Sequence, residues 1–71
     1  MDINKENTLK CLGLNIKAVR KSKGLTQLDL ASKVNKDQQS IQRLEAGRIN
    51  PSYIYLLEIC LGLEVELKEI L

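Results

Sequence analysis

Gln38, Gln39, Gln42 and Arg43 are the residues of this 71-residue chain whose types and spacing point most directly to chemistry. Wound at about 100° per residue, the segment from Gln38 to Ala46 puts them and Ala46 on one arc, with Ser40, Ile41 and Leu44 opposite. A glutamine amide pairs bidentately with N6 and N7 of adenine, and a guanidinium with O6 and N7 of guanine. The chemistry implied is the reading of base edges. An enzyme is not expected: the chain has no histidine, no glycine-rich phosphate loop and no nucleophile beside a base. Cys11 and Cys60 lie far apart without CxxC spacing and lack a histidine to complete a zinc set, so neither metal nor cofactor is expected.

The elements that must position this arc are helices. Leu9, Leu12, Ile16 and Val19 recur at spacings of three and four, which predicts helix 1 from about Thr8 to Lys23, ended by Gly24. Thr26, with Asp29 three residues on, forms a capping-box-like start for helix 2, Gln27 to about Val34. There Leu28 is followed by Leu30, Ala31 and Val34, which supply the inner face, and Asn35 tolerates the positive dihedral of a tight turn. Asp37 caps helix 3, Gln38 to about Ala46, and Gly47 stops it. After Asn50-Pro51, Ser52 caps helix 4, which runs to about Leu63, and a short helix 5 is expected from Glu66 to Leu71. The expectation is an all-α, five-helix single domain over residues 1–71, with 1–7 a flexible N-terminus.

Charge divides the chain. Residues 10–48 carry a net +6, while residues 49–71 carry −3. The basic part coincides with the two-helix element and has the asymmetry of an electrostatic footprint on phosphate. Helix 4 is apolar almost all round, with Glu58 its one charge. A small domain cannot bury every side of a helix, so part of it should meet another chain. With no signal peptide and no apolar run able to span a bilayer, a cytoplasmic location is expected, with both thiols reduced and no membrane partner.

The ordered motifs Gly24-Leu25-Thr26-Gln27, Asp29-Leu30-Ala31, Ser40-Ile41, Leu44-Glu45-Ala46-Gly47 and Asn50-Pro51-Ser52 resemble the phage lambda repressor and Cro family of helix-turn-helix domains, the XRE family. The resemblance covers about residues 12–71. It implies that Gln27 hydrogen-bonds a DNA phosphate and braces the start of the recognition helix. Gln38 and Gln39 match base-contacting positions, and Gln42 and Arg43 share their arc. Phosphate contacts are assigned to Gln27, Lys36, Ser40 and Arg48, with Lys17 and Lys21 as weaker candidates. Arg20 and Glu45 match an arginine and a glutamate that form an internal ion pair in some relatives, and are read as structural.

Three departures stand out. Asn35 replaces the glycine usual between helices 2 and 3, and Glu64 the glycine usual after helix 4. Ile54 and Leu61 occupy positions usually polar and sit seven apart on one face. With Glu58 between them they are expected to form a homodimer surface.

The function expected is sequence-specific transcriptional regulation by a homodimer in the major groove of a palindromic operator, with no small-molecule ligand. The rival is a protein-interaction module or antitoxin of the same fold, acting mainly through a protein partner.

Overall fold

Asn4 sets the start of the first helix. In the computed structural model, which describes residues 4–71, its side chain accepts the Asn7 amide at 3.1 Å and α1 runs Lys5–Ser22. Helix 1 thus begins three residues before Thr8, and Asn4 to Asn7 form a capped first turn instead of an irregular arm. Apolar periodicity could not find this turn, because its residues are polar and a local cap starts it. Residues 1–3, the rest of the stretch expected to be flexible, lie outside the described residues.

The other caps stand where the sequence places them. Thr26 and Asp29 form the capping box of α2, Gln27–Lys33. Asp37 accepts the Ser40 amide at 2.7 Å and opens α3, Gln38–Glu45, while Ser52 accepts the Tyr55 amide at 3.0 Å and opens α4, Tyr53–Leu63.

All four helices close by one device, the paired back-bonds of a Schellman motif. Leu25 N–H bonds to Arg20 O and Gly24 N–H to Lys21 O, and the same pairing recurs at Asn35 and Lys36, Gly47 and Arg48, and Glu64 and Val65. The residue that turns each corner has positive φ: Gly24 and Gly47 at +72°, Asn35 at +57° and Glu64 at +59°. The two positions lacking the usual glycine therefore keep the glycine conformation.

The expected fifth helix is corrected. Among the described residues there are four α-helices, followed by one 3₁₀ turn, Leu67–Glu69. After Glu64 turns the chain, Ile70 is carried into the core, where it is fully buried. Asn15 holds this end by donating to Ile70 O at 3.2 Å.

Ile16, Leu30, Ala31, Ile41, Leu44, Ile59, Cys60, Leu63 and Ile70 form the core, so each helix contributes at least one buried side chain. The α2–α3 packing is the most extensive, with α1 crossing α3 and α4 backing α2. Among the described residues, no helix is long and apolar enough to cross a membrane.

Candidate nucleic-acid interface

The arc read from α3 is fully presented. Gln38, Gln39, Gln42, Arg43 and Ala46 are exposed, while Ile41 and Leu44 are buried and Ser40 is half-buried. Apolar packing on one side thus sets the helix rotation, and the opposite side is left with long polar groups. The Asp37 carboxyl at its start lies below the usual carboxylate range, chiefly because it accepts the Ser40 amide. Asp29 is lowered in the same way by the Thr26 amide.

A buried polar cluster fixes the other end of α3. Glu45 Oε2 accepts Arg20 Nε at 2.6 Å, Oε1 accepts Arg20 Nη2 at 2.9 Å, and Arg20 Nη1 donates to Leu25 O at 2.7 Å. Arg20 is 6% exposed and Glu45 5%. The guanidinium pKa is raised by the Glu45 hydrogen bonds, and burial opposes the rise. Gln27 Nε2 adds a third donor to Glu45 at 3.1 Å. Gln27, expected to brace the start of the recognition helix, therefore braces its end.

The phosphate candidates divide. Arg48 is exposed just beyond α3 and shares a cleft with Gln39, Gln42, Arg43 and Ala46. Lys21 is exposed and Lys17 half-buried on α1. Lys36 departs from its expected role: its Nζ lies 3.2 Å from Glu58 and 4.4 Å from the centroid of the Tyr55 ring, so its charge is directed to α4. Spacing could not reveal this, because the partners lie about twenty residues away in sequence. The Tyr55 hydroxyl is buried and has no hydrogen-bond partner among the described residues, and burial, followed by the charges of Asp37 and Glu58, raises its pKa. On α4, Ile54 is 64% and Leu61 79% exposed, and Glu58 is exposed between them.

A family model described as helix-turn-helix matches residues 16–70. The chain belongs to the XRE-type helix-turn-helix family. It is 38% identical over 61 residues to the HTH-type transcriptional regulator y4dJ of Sinorhizobium fredii, covering 86% of this chain and 79% of that protein. It is 43% identical over 61 residues to human endothelial differentiation-related factor 1, covering 83% of this chain but 41% of the longer relative. In three dimensions it is similar to the restriction-modification controller protein C.AhdI of Aeromonas hydrophila, with a TM-score of 0.88, 28% identity, and coverage of 92% of this chain and 98% of that one.

One residue that seats the helix-turn-helix lies outside the sequence motifs. Gly13 is buried in α1, and a Cβ there would collide with the Glu45 carbonyl oxygen and stand 2.7 Å from that of Leu44. The bare backbone lets α1 lie directly on the last turn of α3. A glycine inside a helical pattern, where it costs about 1 kcal/mol against alanine, was the available signal.

Proposed function

We propose that this chain is a sequence-specific, DNA-binding transcriptional regulator acting as a homodimer on a palindromic operator. The observation that carries the reading is the exposed arc of Gln38, Gln39, Gln42 and Arg43 on a helix whose opposite face is core. On this reading these four side chains contact base edges, and Gln27, Ser40 and Arg48 contact phosphates. The charge division supports it, as does the similarity to a protein named as a transcriptional regulator and to a restriction-modification controller. Ile54, Glu58 and Leu61 form the dimer surface, which spaces two recognition helices about 34–36 Å apart to enter successive major grooves.

The test is selection of bound duplexes from a random DNA pool, followed by titration of the selected sequence. Gln38→Ala and Arg43→Ala should each weaken specific binding by about 1–3 kcal/mol, a factor of about 5–150, and relax the preference at one base position. The affinity of the parent chain should fall steeply with salt, because phosphate contacts release counterions. Unchanged selectivity in both variants would remove the base-reading role. A flat salt response would favour a protein-interaction module instead.

A further inference from the structure

Lys10, in the first half of α1, precedes the segment matched by the family model, residues 16–70, and Lys10 and Lys17 carry charges the proposed function does not use. Lys10, Leu14, Lys17 and Lys21 recur at spacings of four, three and four, so they form one stripe along the helix. Its place relative to α3 is set by Gly47: a Cβ there would stand 2.8 Å from Lys10 Cα, so α1 passes across the closing turn of α3 at Lys10. Lys10, Leu14, Lys17 and Gln27 then line a cleft with Gln42 and Ala46 of α3. The cleft that holds Arg43 and Arg48 is lined by the same Gln42 and Ala46. The two clefts are therefore opposite flanks of one exposed ridge.

A helix about 10–12 Å across fills a major groove about 12 Å wide, so each flank of the ridge faces a sugar–phosphate wall. We propose that Lys10 and Lys17 form a phosphate clamp on one strand while Arg48 takes the other. This rests on α3 being the base-reading helix. Glu45 also lines the Lys10 cleft, but Arg20 at 2.6 Å neutralises its carboxylate, so it does not repel the strand. Lysine ammonium groups suit this task because they meet phosphate as point charges, and a phosphate contact carries no sequence information.

The experiment titrates the full chain and its Lys10→Gln/Lys17→Gln variant against the selected operator and against unrelated duplex, between 50 and 200 mM salt. Lys68→Gln serves as a control, since Lys68 is exposed beside Glu66 at the far end of the chain. Losing both contacts should make the slope of log affinity against log salt shallower by about 1.8, so the advantage of the parent chain shrinks about tenfold across that range. The loss should be alike on both duplexes, with the selected sequence unchanged, the circular dichroism intact and Lys68→Gln neutral. A parental slope in the double variant overturns the clamp and leaves the base-reading helix standing. A changed sequence preference also overturns it, by moving these lysines to base contact. A parent chain that binds no duplex overturns both.

Discussion

Glu45 is a carboxylate in a position that disfavours one. It sits in the last helical turn of α3, where the peptide dipoles already place partial negative charge. Three N–H donors from Arg20 and Gln27 compensate, and a further Arg20 N–H, on Nη1, bonds Leu25 O. Four segments, α1, the turn after it, α2 and α3, are thereby joined through one carboxylate. Removing one partner strands a buried charge, so Glu45→Ala should destabilise the domain by about 3–5 kcal/mol. The double variant Arg20→Met/Glu45→Leu should lose less than Glu45→Ala alone, because no charge is left unpaired. Urea unfolding of the parent and these two variants measures both, and a double variant at least as unstable as Glu45→Ala would refute the pairing argument. Arg20→Lys should not rescue, since an ammonium lacks the planar fork that meets Glu45 and Leu25 together.

The helices share rules for starting and stopping. Each begins with a side-chain oxygen from Asn4, Thr26, Asp37 or Ser52, and each ends in a left-handed residue. Gly24 and Gly47 take that conformation freely, Asn35 tolerates it, and Glu64 is strained by its Cβ. Glu64→Gly should therefore stabilise the chain by up to about 1 kcal/mol, part of the relief being offset by the greater freedom of glycine in the unfolded chain. In a domain of this size that gain corresponds to about 4–8 °C in Tm. Calorimetry reads it directly, and a fall in Tm would mean that the Glu64 side chain contributes contacts worth more than its strain.

At the scale of the whole molecule, the basic segment that holds α3 and the apolar α4 must act as one body. The Lys36 ammonium provides the tie, since it leaves the turn before α3 and meets Glu58 and the face of Tyr55 on α4. On the proposed homodimer, the angle between two recognition helices is then set by the core packing of α4, with this contact added to it. Ile54→Glu or Leu61→Glu places a charge on an exposed apolar site, so the fold should survive while association fails. Sedimentation should report monomers for these variants at concentrations where the parent chain is dimeric. Their affinity for a full palindrome should drop far more than for a half-site. Monomers in the parent chain, or dimers in the variants, would exclude this face.

The sequence by itself determined the starts of α2, α3 and α4, the stops of α2 and α3, and the division of α3 into a core side and an exposed polar arc. These follow from contacts three and four residues apart, which spacing encodes. The start of α1 was equally local, yet its cap at Asn4 lies in a polar stretch that apolar periodicity does not mark. Tertiary structure alone decided that Gln27 braces Glu45, that Lys36 turns to α4, that Gly13 and Gly47 seat α1 on α3, and that the last segment shortens to a 3₁₀ turn so that Ile70 fills the core. Each depends on which surfaces meet across long stretches of chain, and local spacing holds no record of that distance.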